Sequence, residues 1–131
     1  VSVQSRPGYQ AYQKNKYETA SPHRLIMMLY DGALINISRA RQALGAGQRA
    51  EAHKFIQKAQ DIVFELLACL NEEQGESIAK NLKEIYLYLV RLLMQANIRK
   101  NPEQLEEPEV ILKQIRQSWE QIGKEVGNGA I

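Results

Sequence analysis

Three features of the sequence predict an all-α chain, folded as an antiparallel up-down-up-down four-helix bundle with an N-terminal segment packing on it. Four segments carry apolar residues at the three- and four-residue steps of a helix face, short polar links separate them, and no segment alternates as a strand does. Four prolines and eight glycines in 131 residues leave long stretches free of breakers. With 44% hydrophobic and 24% charged residues, the chain has the balance of a single globular domain with its own core.

The first helix is expected from Pro22 to about Leu44. Ser21 is a good N-cap, and Pro22 suits the first helical position, where its missing N–H leaves no bond unmade. The inward stripe is Ile26, Leu29, Tyr30, Ala33, Ile37, Ala40 and Leu44. Leu25 to Tyr30 is a run of six apolar residues, more than one face requires, so this helix should be covered on more than one side. Met28 and Ile35 lie almost opposite the stripe at ~100° per residue. Gly45-Ala46-Gly47 supplies the left-handed cap that ends it.

The second helix, Arg49 to Leu70, has the cleanest pattern: Ala52, Phe55, Ile56, Ala59, Ile62, Val63, Leu66, Leu67 and Leu70 inward, with Phe64 off the stripe as an edge contact. Asn71 to Gly75 reads as a short polar loop, which makes the second and third helices antiparallel neighbours. The third helix, about Ser77 to Ile98, has a core stripe of Ile78, Leu82, Ile85, Tyr86, Leu89, Leu93 and Ala96. A second stripe, Leu87, Val90, Met94 and Ile98, runs beside it, more apolar surface than one inward face needs; it marks either a central helix with neighbours on several sides or a surface kept for a partner. Asn101-Pro102-Glu103-Gln104 is a second start signal, with Gln104 where a capping box places Glu or Gln. Pro108 then requires either a kink or a short turn ahead of helix four proper. That helix carries Ile111, Leu112, Ile115, Trp119, Ile122 and Val126, with Trp119 as a core anchor.

These assignments divide the chain into an N-terminal segment, 1–18, a bundle, 19–126, and a C-terminal tail, 127–131. The N-terminal segment lacks helical periodicity and carries the turn signal Pro7-Gly8, yet holds Tyr9 and Tyr12, large rings suited to docking on an apolar surface. Its polar composition does not resemble a secretory leader.

Several function classes lose support. A net charge of +2 gives nucleic acid or an anionic membrane no electrostatic footprint. The longest apolar stretch, Ile85 to Met94, contains Arg91 and is about half the length of a membrane span. Carboxylate di-metal bundles use Glu-x-x-His pairs, but alanine stands three residues before both His23 and His53. Cys69, the single cysteine, has no base partner in the pattern and sits near the core edge. No glycine-rich phosphate cradle is present. The expectation is a binding protein, not an enzyme, needing no metal or cofactor.

Five stretches, in this order and spacing, resemble one family. They are AYQKN (11–15), TASPHRLIMMLYDGAL (19–34), KAQDIVFEL (58–66), AKNLKEIYLYLVRLLMQANIRKN (79–101) and the late Trp119. Together they resemble the flagellin-specific export chaperone of bacterial flagella, the FliS family, over Tyr9 to about Lys124. Pro108 departs from that pattern. The resemblance implies a cytoplasmic helical bundle that binds the C-terminal segment of flagellin, keeps it from polymerising early and aids its delivery to the flagellar type III export apparatus. Export-gate components and a second copy of the chain are further candidate partners; nucleic acid and membrane insertion are not. A helical adaptor for some other amphipathic partner is the alternative reading. Surplus apolar stripes are what grooves for such a client require. The candidate flagellin-contacting residues are therefore Tyr9, Tyr12, Met28, Ile35, Leu87, Val90, Met94, Asn97 and Ile98, with Leu87, Val90, Met94 and Ile98 each expected to be partly exposed.

Overall fold

The computed structural model describes residues 22–70 and 72–125, with side chains described outside 72–76 and 123–125. Ser21, Tyr9, Tyr12, Val126 and the two terminal segments lie outside the described residues. Four α-helices follow one another: α1 (Pro22–Gly45), α2 (Arg49–Ala68), α3 (Glu72–Arg99) and α4 (Glu106–Glu125), with a 3-10 turn (Pro102–Leu105) before α4. No strand occurs among the described residues. Neighbouring helices pack around a square: α1 on α2, α2 on α3, α3 on α4 and α4 back on α1, with the 3-10 turn wedged against α1, α3 and α4. This is the up-down-up-down bundle.

The core forms where the stripes converge. Tyr30, Ala33, Ile37 and Ala40 of α1 meet Ile56, Ala59 and Val63 of α2, all fully buried. Small residues bring these two helices close: a Cβ built on Gly32 would lie 3.2 Å from Ile62 Cδ1. Tyr86, Leu89 and Leu93 of α3, with Leu105 and Leu112, close the other side. All of Leu25 to Tyr30 are at least partly covered, as the six-residue apolar run predicts. Trp119 packs half-buried against the core.

Helix ends follow local chemistry. Gly47, at φ 73°, ends α1. The Gln48 N–H donates to the Ala43 carbonyl at 2.8 Å and the Gly47 N–H to that of Leu44 at 3.1 Å, which is a Schellman cap. Asn101 caps the 3-10 turn, its side chain accepting the Glu103 N–H at 3.0 Å. The reciprocal half of the expected capping box does not form, because Gln104 Oε1 is buried without a partner. Pro108 needs no kink. It is the third residue of α4, in the first turn, where no backbone N–H has an intrahelical acceptor, and its ring is fully buried. Of the two alternatives for this proline, the short turn ahead of α4 is the one found.

Three expectations need correction. The loop expected at Asn71 to Gly75 is mostly helix, because α3 begins at Glu72. Ile78, placed on the core stripe, is 70% exposed: its position on the helix faces inward, but it lies near the end of the bundle. Val90, expected to be partly exposed, is buried at 7% exposure, since α2 packs over that flank of α3.

Candidate functional site

The surplus apolar surface of α3 lies in the seam with α2. Leu87, Met94 and Ile98 are 41%, 49% and 74% exposed, a continuous row along one flank of the helix. Their register against α2 is marked by a hydrogen bond from His53 Nδ1–H to Asn97 Oδ1 at 3.1 Å. Counting along two antiparallel helices from that pair brings Gln57 level with Leu93, Gln60 level with Val90, and Phe64 level with Tyr86, so that Met94 and Leu87 each stand one residue beyond those levels. Phe64 is itself 44% exposed, and with Gln57, Gln60 and Asp61 it lines a shallow depression on α2. The depression itself is lined by α2 alone; we take the adjoining seam as the candidate groove, with the exposed apolar row on α3, an amide-rich stretch ending in Phe64 on α2, and Val90 buried between the two helices.

Of the sequence candidates, the structure gathers Leu87, Met94, Asn97 and Ile98 along this groove, with Val90 beneath them. It does not bring Met28 and Ile35 there. Ile35 is 49% exposed and Met28 half-buried, and both lie on the outer side of α1. Helix α1 is diagonal to α3, and the two are linked across the core by hydrogen-bonded phenols, Tyr30 and Tyr86. The bundle therefore has two separate apolar surfaces. Phe64 was missed as a site residue, although its place off the α2 stripe was the signal that could have found it.

Charged side chains border the apolar row. Lys80, Lys83 and Arg91 flank the α3 wall, and Arg91 stacks its guanidinium over the Tyr88 ring at 5.6 Å. Tyr88 donates to a Glu107 carboxylate oxygen at 2.6 Å, which pushes the phenol above its ordinary range. Burial raises Tyr30 and Tyr86 in the same direction, so the phenol pair stays neutral. Cys69, at the C-terminal end of α2, reaches solvent; packing around its sulfur and the Glu65 carboxylate push the thiol up, opposite to an activated nucleophile. No cluster of three metal-ligating side chains occurs among the described residues. No described helix is long and apolar enough to cross a membrane.

The opposite side of the bundle is tied between α1 and α4 along its length. His23 Nε2–H donates to the Trp119 carbonyl, Arg116 pairs with Asp31, and Arg41 bonds Glu109 at 2.7 Å. These contacts hold α4 to α1.

Comparison with known proteins identifies the family. The family model described as flagellar protein FliS matches residues 5–126. A Salmonella typhimurium protein named flagellar secretion chaperone FliS is 41% identical over 120 residues, covering 88% of this chain and 89% of the relative. Proteins of the same name from Vibrio cholerae and Bacillus subtilis are 34% identical over 127 residues and 35% over 113. They cover 94% and 86% of this chain, and 93% and 84% of the relatives.

Proposed function

The chain belongs to the FliS family of flagellar secretion chaperones, and from that premise we propose that it is a cytoplasmic export chaperone for the C-terminal segment of flagellin. The observation that supports this reading is the exposed row Leu87, Met94 and Ile98 along one flank of α3, with the exposed ring of Phe64 on the adjoining helix α2. An amphipathic helix laid into that groove buries its apolar face at i, i+3, i+4 and i+7 positions. Fully burying one large apolar side chain is worth about 1.5–3 kcal/mol, so a few such anchors give useful affinity without chemistry.

A segment held this way cannot join its neighbours in a filament. Premature polymerisation is blocked by mass action, and release at the flagellar type III secretion apparatus completes the cycle. Met28 and Ile35, on the outer side of α1, form a second contact for the client or for an export-gate component. Tyr9 and Tyr12 are assigned to the same client-facing role. A second copy of the chain competes for these apolar surfaces when no client is present.

The test is co-elution. The purified protein should bind flagellin one-to-one and lose it when flagellin's C-terminal segment is removed. Retention of the truncated flagellin, or no binding of the intact protein, refutes the assignment; the latter result favours an adaptor for another amphipathic partner.

A further inference from the structure

At the C-terminal end of α3 the backbone takes a conformation that a lysine does not favour. Lys100 has φ 54°, and its N–H bonds the Ala96 carbonyl at 2.8 Å, closing a left-handed cap. Glycine is the usual residue there, because a Cβ is disfavoured in that conformation. What the lysine adds is its side chain. Nζ folds back onto Asn97, donating to the backbone carbonyl and to Oδ1, the latter at 2.7 Å. His53 donates to the same Oδ1 from across the α2/α3 seam.

An ammonium is a donor only, so the atom it contacts fixes which end of the carboxamide is oxygen. Both acceptor positions of Asn97 Oδ1 are then used from within the protein. What the side chain has left is its NH2 group, two donors and no acceptor, held in place by two helices. It stands at the end of the apolar row, beside Ile98 and one turn beyond Met94.

A docked helix differs at its two ends in what it needs. Its last turn has unpaired carbonyls and the negative end of the dipole; its first turn has unpaired N–H groups. A fixed NH2 with an ammonium beside it serves only the first of these. Lysines lie toward the other end of the groove as well, at Lys80 and Lys83, so net charge does not choose a direction. The oriented amide does.

We propose that Asn97, positioned by His53 and Lys100, donates to the C-terminal carbonyls of the client helix and thereby sets its direction and register in the α2/α3 groove. The client helix then runs parallel to α3. This rests on the groove being the flagellin site. The inference concerns a binding residue that confers orientation, beyond the apolar contacts that supply affinity.

Asn97→Asp separates this role from a structural one. The carboxylate still accepts from His53 and Lys100, so the local fold is kept, but the donors are lost and a negative charge faces the helix carbonyls. The expected result is at least about tenfold weaker binding of flagellin's C-terminal segment with an unlowered Tm. A photo-crosslinker replacing Ile98 should label the last turn of the bound helix, and one replacing Leu87 should label residues earlier in it. Wild-type affinity in Asn97→Asp, a lowered Tm, or the reverse labelling pattern overturns the proposal while flagellin co-elution still stands. Absence of flagellin binding by the unaltered protein overturns both.

Discussion

Val90 shows how finely burial divides one helix face. It sits only about 40° around α3 from the buried Tyr86, at ~100° per residue, and about the same angle from Met94 on its other side. Periodicity alone does not say on which side of that boundary a residue falls; the position of α2 does. The same limit explains Ile78, which has an inward angle but lies near the bundle's end. The consequence is a contrast between two substitutions. Val90→Asp places a charge between α2 and α3, at 7% exposure, and should cost roughly 3 kcal/mol or more, lowering Tm by about 10 °C. Met94→Asp, at 49% exposure, should leave Tm within about 3 °C, the range of ordinary surface substitutions, yet weaken flagellin binding by more than about tenfold. Thermal melts and titration of the two variants side by side check this. Equal loss of stability in both would place Met94 in the core and remove the groove.

At the scale of elements, ends that depend on one residue were legible and ends that depend on composition were not. Gly47 and Asn101 announce their caps because few residues fit those conformations. The start of α3 was hidden because Glu-Glu-Gln-Gly-Glu, 72–76, has no apolar face to read, and acidic residues suit a first helical turn as well as a loop. Pro108 left two outcomes open, since its position relative to the helix start decides whether it removes a hydrogen bond. The start of α4 is determined jointly by Asn101, Pro102 and the first-turn acids Glu106, Glu107 and Glu109. Of these acids, Glu109 is held by Arg41 at 2.7 Å and Glu107 by the Tyr88 hydroxyl at 2.6 Å. Asn101→Ala removes the acceptor for the Glu103 N–H and should cost about 1 kcal/mol, as cap deletions do. Urea unfolding should show a lower midpoint with an unchanged slope. Unchanged stability would mean that water replaces the cap without loss.

At the scale of the whole molecule, the stripes predicted the square of helices, but which residues meet across its diagonal depends on relative rotation, which no single stripe contains. The Tyr30–Tyr86 pair is such a contact, and it makes stability depend on alkali. Burial raises both phenols above the ordinary value of 10.0, so the folded state keeps protons that the unfolded chain gives up. Their contribution is present in full below about pH 10 and declines as pH rises above it. Melts between pH 8 and 12 should show a steep alkaline loss that is shallower in the double variant Tyr30→Phe/Tyr86→Phe; identical profiles would assign the loss to other groups. The finished bundle also constrains its client. Its described helices are already formed, so helix gained within them does not account for an increase on mixing with flagellin's C-terminal segment. Ordering a disordered segment costs roughly 2–5 kcal/mol of the gross interaction, which a few groove anchors of about 1.5–3 kcal/mol each can offset. The circular dichroism of the complex should therefore exceed the sum of its parts at 222 nm. That excess should shrink in Met94→Asp in proportion to lost binding. An additive spectrum at saturating flagellin would mean that the segment docks without folding, and the groove would then have to recognise an extended chain instead of a helix.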